Sequence, residues 1–181
     1  NFLFIKASGC KLKKARKEEI FIKVNLKKII KEISENSNEY IKSFEIGENK
    51  LRPSIETTMH AIMPQKYVFH VHCLNTLGLL VQDRFENKLK TMFKDLNYSI
   101  VKYVKPGISL AKEINKLLVS FSPDVLFLAN HGLVVAGNDI DKILKIIYDI
   151  SNKLNFNVRK TKKINISYLK EISSGSAFRP T

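Results

Sequence analysis

Phe69-His70-Val71-His72 is the stretch of this sequence that indicates most about its fold and function. Residues two apart in a strand project to the same face, so both imidazoles can reach one point while Val71 packs into the core. Two such histidines, joined by a third from elsewhere in the chain, make a three-ligand metal site with one position open. The pair alone is a weak signal, because strand histidines bonded to the backbone have the same spacing.

The third ligand candidate is His131, which follows an apolar strand at residues 125–129. Gly132 comes next and would permit an unusual backbone angle there. A histidine at a strand end beside a turn is typical of a site residue, although a capping histidine would have the same position. All four histidines of the chain fall between residues 56 and 131, which favours a shared purpose.

Glu56 lies in the first turn of a predicted helix at residues 55–63, which Arg52-Pro53-Ser54 introduces with Ser54 as N-cap. The helix dipole favours a carboxylate at that position, so a functional role for Glu56 requires the fold to bring it beside the metal. His60 lies one turn later on the same face. It either supports the ligands or packs, and we favour packing.

Hydrophobic periodicity divides the rest of the chain into strands and helices. Strands are predicted at residues 2–7, 20–24, 67–72, 99–103, 125–129 and 133–136. Helices are predicted at residues 26–34, 55–63, 84–96, 110–121 and 140–154, with another ending at residue 81. Residues 36–50 are a predicted loop. Because strands and helices mix without strict alternation, we expect an antiparallel or mixed sheet with helices on its faces.

The composition fits one domain of 181 residues, 44% of them hydrophobic. No apolar run approaches the roughly 20 residues of a membrane-spanning helix. Cys10 and Cys73 lie in unrelated contexts, so we expect no disulfide and a reducing, cytoplasmic setting. Cys73 follows His72 and could approach a metal, but a small buried residue at a strand end is the better interpretation. Because the chain starts at Asn1 directly on a strand, we expect the natural protein to begin upstream.

The formal charge of +14 comes from 31 Lys and Arg against 17 Asp and Glu. The lysines cluster at residues 11–17, 27–31 and 159–163, and no aromatic-plus-arginine pattern of a nucleic-acid module accompanies them. We therefore interpret the charge as a solvated surface that also attracts anionic substrates. Neither a nucleic acid nor a membrane is an expected partner.

Several blocks of the sequence resemble the class II aldolase/adducin family and occur in that family's order. They are Lys6-Ala7-Ser8-Gly9, Pro53-Ser54-Ile55-Glu56-Thr57-Thr58-Met59-His60, Val68-Phe69-His70-Val71-His72 and Leu128-Ala129-Asn130-His131-Gly132-Leu133, and Tyr103-Val104-Lys105-Pro106-Gly107 also fits. The resemblance covers most of residues 2–150. It implies an α/β protein, with a three-layer α/β/α domain around a mostly antiparallel central sheet. Residues 1–181 would form this single domain, in a homotetramer with active sites at subunit interfaces.

The resemblance also implies the roles of individual residues. His70, His72 and His131 would hold one divalent metal per chain, with zinc first and cobalt or manganese as alternatives. The metal would support aldol cleavage of a small sugar or sugar phosphate through an enediolate, and Glu56 would act as general acid/base. Residues expected to bind the substrate are Ser8, Gly9 and Ser54.

The sequence departs from the family pattern at Ile55, where phosphate-using aldolases often carry a second serine, and the C-terminal tyrosine of some members has only Tyr168 as a weak counterpart.

Within the family, a dehydratase or a 4-epimerase would use the same metal. Epimerases tend to carry Asp where this chain has Glu56, which favours aldolase or dehydratase. A non-catalytic, adducin-like scaffold would lack the metal histidines, and a basic nucleic-acid-binding domain has only the charge in its favour.

Overall fold

The computed structural model describes residues 2–35, 46, 51–155 and 165–175. The strands are β1 (Phe2–Lys6), β2 (Phe21–Asn25), β3 (Tyr67–Val71), β4 (Tyr98–Val101), β5 (Val125–Leu128) and β6 (Gly132–Gly137). The helices are α1 (Leu26–Glu35), α2 (Thr57–Ile62), α3 (Leu74–Leu80), α4 (Phe85–Met92), α5 (Ile108–Leu118), α6 (Ile140–Lys153) and α7 (Ile166–Gly175). A single 3₁₀ turn at Leu12–Lys14 precedes β2.

The central sheet has four strands in the order β3-β6-β5-β4. β6 runs antiparallel to both of its neighbours, β3 and β5, whereas β4 and β5 are parallel. Every residue of β5 is buried, as are Gly132 to Ala136 of β6, because these two strands are apolar throughout and have layers on both faces. The sheet is therefore mixed and mostly antiparallel, as predicted.

Helices cover both faces of this sheet, which confirms the three-layer α/β/α arrangement. On one face α3, α4 and α6, together with Phe93 just after α4, pack against Val125, Phe127, Leu133 and Val135; the helix residues are Leu79, Leu80, Phe85, Leu89, Ile143 and Ile150. On the other face α2 and α5 pack through Met59, Leu110 and Ile114 against Leu126, Leu128, Val134 and Ala136. The alternation along β5 and β6 sends successive side chains to opposite clusters.

A second, two-stranded sheet pairs β1 with β2 in antiparallel register and packs with α1 around a third buried cluster. Ala7 forms an isolated bridge with Pro53, and the backbone N–H of Ser8 donates to the carbonyl of Arg52 at 2.9 Å. These contacts join the turn after β1 to the segment that enters α2. They matter for the site because Glu56 ends that segment.

Some predicted boundaries are wrong. The helix predicted at 55–63 spans only Thr57–Ile62, and Glu56, not Ser54, is at its N-cap. Ser54 closes the turn before the helix: its Oγ accepts the N–H of Glu56 at 3.3 Å and its carbonyl accepts that of Thr57 at 3.1 Å. The helix predicted at 84–96 ends at Met92, and a helix, α7, occupies part of the unassigned tail.

The expected loop at 36–50, Ile46 excepted, and the lysine cluster at 159–163 lie outside the described residues. Among the helices that are described, none has both the length and the apolar character required to cross a bilayer.

Candidate metal centre

Three chain segments deliver the candidate ligands to one place. His70 lies in β3 and His72 follows the last residue of that strand, whereas His131 lies in the short turn between β5 and β6. Because β6 pairs with both β3 and β5, this turn lies beside the end of β3. Glu56 immediately precedes α2, which packs on the same face of the sheet. All four side chains therefore approach from the α2 side.

The polar atoms of the four side chains converge closely. Glu56 Oε1 lies 3.0 Å from His70 Nε2 and 2.9 Å from His131 Nε2, and the Nε2 atoms of His70 and His72 are 2.9 Å apart. One ligand atom from each of the four residues lies within 4.8 Å of all the others. Within the described residues, this is the group of histidines and carboxylates that could hold a metal ion.

The donor chemistry fits a divalent cation. His70 Nδ1 lies 3.0 Å from the carbonyl oxygen of Leu133. A carbonyl only accepts, so Nδ1 carries a proton. Nε2 faces Glu56 Oε1 at 3.0 Å and donates to it, and it would present a lone pair to a cation once that proton is released. The facing Nε2 atoms of His70 and His72 need a proton or a cation between them. Three imidazole nitrogens and one carboxylate suit zinc and neighbouring first-row metals, whereas calcium and magnesium prefer oxygen ligands.

The electrostatics also favour a cation. Burial alone would raise the pKa of Glu56, but hydrogen bonds from His131 and His70 outweigh it and hold that pKa well below its usual range. The carboxylate is therefore ionised at neutral pH. Burial, followed by repulsion from His70 and His131, lowers the pKa of His72. That histidine is consequently a neutral imidazole at neutral pH, the form in which it binds a metal.

The cluster has a closed side and an open side. The side chains of His70, His131 and Glu56 are 6%, 10% and 19% exposed, whereas His72 is exposed. A small molecule from solvent would therefore reach the cluster near His72. In metal sites, three protein ligands with one position open to solvent are typical of catalysis, whereas purely structural sites are closed by four protein ligands.

Comparison with known proteins identifies the family. The family model described as Class II Aldolase and Adducin N-terminal domain matches residues 1–155. The chain belongs to this family. A relative in Bacillus subtilis (strain 168), named "Uncharacterized oxidoreductase YuxG", is 28% identical over an alignment of 123 residues, and the match covers 65% of this chain. The chain spans 18% of the length of that relative.

Solved structures share the fold at low sequence identity. The N-terminal class II aldolase domain of a conserved protein from Thermoplasma acidophilum superposes with a TM-score of 0.73 at 22% identity, covering 84% of this chain and 73% of that one. A sugar-phosphate aldolase from Thermotoga maritima gives a TM-score of 0.60 at 17% identity, covering 97% and 73%. These similarities confirm the predicted α/β fold.

The residues expected to bind the substrate lie on two segments, Ser8 and Gly9 in the turn after β1 and Ser54 on the segment that enters α2. The Ala7–Pro53 bridge holds the turn of Ser8 and Gly9 close to Ser54. The N–H of Ser8 is already bonded to a carbonyl, but a side chain built on Gly9 would meet nothing within 4 Å, so that turn is open. The hydroxyl of Ser54 accepts from Glu56 and keeps its own proton to donate.

Cys73 and Tyr168 stand apart from the cluster. Cys73 Sγ lies 3.4 Å from Ser151 Oγ, so this thiol binds to α6 and does not join the four ligand atoms, in agreement with the structural interpretation. Tyr168 is 59% exposed on α7 and is not among the grouped residues.

Two features of the site were not accessible to sequence reasoning. The carbonyl of Leu133 orients His70, and that contact depends on strand register. The sequence predicts an unusual backbone angle at Gly132, but the left-handed residue is Asn130, with φ of 53°. Asparagine tolerates this region better than most residues, so the turn needs no glycine there. Gly132 matters for a different reason, because there is no room for a side chain at its position.

His60 provides a test of the fold around the site. Burial, followed by repulsion from His70, lowers its pKa to about 4 from 6.5. Between these two values the unfolded chain binds a proton that the folded chain does not. The free energy of unfolding is therefore expected to fall as the pH drops from 6.5 to 4, by up to about 3 kcal/mol from this residue.

The measurement is urea unfolding of metal-free protein between pH 4 and 7.5, with His60→Gln as the comparison. The variant removes the titrating group and should lose stability less steeply across this window. Parallel stability curves for the two proteins would show that His60 is not held neutral by the fold.

Proposed function

We propose that this chain is a divalent-metal-dependent lyase of the aldolase type, which cleaves or forms a carbon–carbon bond in a small sugar or sugar phosphate. The observation that supports the proposal is the convergence of Glu56, His70, His72 and His131 on one point. Zinc is the proposed metal, with cobalt or manganese as alternatives. A cation bound there supplies a Lewis acid, which polarises sugar oxygens and stabilises the negative charge that develops as the bond breaks.

Glu56 is proposed as the general acid/base. Its carboxylate is ionised, only 19% exposed and in contact with His70 and His131, so it is positioned for proton transfer at the cluster. In the cleavage direction it accepts the proton of the hydroxyl beside the breaking bond. It then returns a proton to the carbon that leaves with the electron pair. In the synthesis direction the two transfers are reversed.

The far end of the substrate is proposed to contact Ser8, Gly9 and Ser54. The hydroxyl proton of Ser54 and the open turn at Gly9 support this role. Ile55 offers no hydrogen-bond donor from its side chain and is 54% exposed, so fewer groups are available for a phosphate than a serine pair would supply. The formal charge of +14 would still attract an anionic substrate.

A cytoplasmic homotetramer with active sites at subunit interfaces is part of the proposal. Exposed apolar side chains along α6 support such contacts, because Ile140, Leu144 and Tyr148 are spaced four residues apart and are 41%, 48% and 66% exposed. A repeat of four residues places them on one face of the helix.

The experiment has two stages. Purified protein is first analysed for metals by elemental mass spectrometry, and about one divalent ion per chain is expected. The metal-bound protein is then incubated with a panel of ketoses and their 1-phosphates, and released aldehydes are identified by mass spectrometry, with His131→Ala as the inactive control. Comparison of each sugar with its phosphate ester reports whether the phosphate is recognised.

The outcomes separate the alternatives. Release of an aldehyde supports the aldolase. Loss of water or inversion at one carbon, with the metal present, would instead identify a dehydratase or an epimerase. Absence of metal even after incubation with zinc, cobalt or manganese would favour the non-catalytic scaffold.

A further inference from the structure

Gly132 lies directly across from His72. The register of β3 and β6 pairs Val71 with Leu133 and His70 with Val134, so the next pair in this register is His72 with Gly132. Residues that face each other across antiparallel strands project to the same side of the sheet. A side chain at position 132 would therefore project to the side that carries the imidazoles of His70 and His72.

That space is already filled by the ligand rings. A Cβ atom added to Gly132 would lie 2.8 Å from His72 Cδ2, 2.9 Å from the carbonyl oxygen of Val71 and 3.2 Å from His70 Cε1. The first two distances are shorter than real Cβ contacts. Gly132 does not have a left-handed backbone conformation, so glycine is required at this position for space and not for its conformational freedom.

We propose that Gly132 is a positioning residue for the metal, because its missing side chain lets the rings of His70 and His72 close on one point. The ring centroids of this pair are 4.8 Å apart, and their Nε2 atoms are at 2.9 Å. The inference rests on the proposed metal-dependent function and adds a residue that touches no ligand atom of the cluster.

Of the groups that an added methyl group would meet, the His72 ring is the one with most freedom to move. The Val71 carbonyl belongs to the paired end of β3, and the His70 ring is held by its bond to Leu133, whereas His72 is exposed and has room to move. The His72 ring is therefore expected to swing outward, whereas the contact with the Val71 carbonyl can be relieved only by a small shift of the backbone. Displacing one of three imidazoles weakens the metal site without removing any ligand from the sequence, and supporting residues of this kind affect metal affinity by about 10- to 100-fold.

The test compares Gly132→Ala with Gly137→Ala, a matched glycine in the same strand. A Cβ on Gly137 would lie 3.3 Å and 3.5 Å from side-chain atoms of Ile143 and would contact no histidine. Metal-free proteins are titrated with Co²⁺ in competition with a chelator, and the visible absorption bands report the coordination geometry. We expect Gly132→Ala to bind Co²⁺ about 10- to 100-fold more weakly with altered bands, and Gly137→Ala to match the wild type.

A double variant separates positioning from a general effect on folding. If Gly132 acts through the His72 ring, then His72→Ala and Gly132→Ala/His72→Ala should bind Co²⁺ with the same affinity. The double variant should also fold if Gly132→Ala does not, because the ring that crowds position 132 is gone. Failure of both to fold would overturn the inference, since the crowding would then lie at the Val71 carbonyl.

The remaining outcomes distinguish this inference from the proposed function. Unchanged affinity and bands in Gly132→Ala, with Co²⁺ bound by the wild type, would overturn the positioning role alone. Absence of Co²⁺ binding by the wild type would overturn the metal-dependent function, and the inference with it.

Discussion

Replacing His131 by alanine is expected to leave the protein without its metal. His131 Nε2 contacts Glu56 Oε1 at 2.9 Å and is one of three imidazoles that converge on the cluster. Its removal leaves two of the three histidine ligands, and the lost ligand exposes the remaining coordination positions to water. We expect metal content to fall from about one ion per chain to below about a tenth of an ion after gel filtration, with loss of activity.

His60→Gln is the matched control for this experiment, because it changes a histidine near the cluster that is not one of the four grouped residues. It should keep about one metal ion per chain. His70→Ala should behave like His131→Ala, since His70 Nε2 lies within 3.0 Å of both Glu56 and His72. Full metal retention in either alanine variant would refute that residue as a ligand.

Local sequence patterns correctly predicted those strands and side-chain positions whose burial follows from the residues of the strand itself. The apolar run that forms β5 is buried at every position, and alternation around His70 and His72 correctly predicted that their side chains meet. The family resemblance then predicted the layered architecture. Each of these predictions depends on residues that are close in sequence or on several motifs in a fixed order.

Such local patterns could not predict contacts between segments that are distant in the sequence. Glu56 is 75 residues from His131, and the predicted position of Glu56 in the first turn of a helix has an ordinary electrostatic explanation. Only the packing of α2 on the sheet brings the two residues together. Ser54 was predicted as the N-cap because its residue type suits one, but it closes a turn through the N–H of Glu56, and the helix starts only at Thr57. Gly132 resembles a turn glycine until the strand register is known.

Replacing Glu56 by glutamine is expected to separate proton transfer from metal binding. Glutamine keeps the size of the side chain and an oxygen that can accept hydrogen bonds, but it cannot hold and release a proton at neutral pH. The three histidines remain, so metal content should stay near that of the wild type. Turnover number should fall by about 10²- to 10⁴-fold, the usual contribution of a positioned general acid or base.

Glu113→Gln is the control for the loss of one negative charge, because Glu113 pairs with Lys116 on the surface of α5 and its side chain is 42% exposed. It should leave both metal content and turnover unchanged.

Near-normal turnover in Glu56→Gln would remove Glu56 from the mechanism. Loss of the metal from Glu56→Gln would instead make Glu56 a ligand, because a carboxylate within 3.0 Å of two of the imidazoles is close enough to bind the same cation. Measuring metal content and turnover on the same preparation therefore decides which of its two possible roles this residue has.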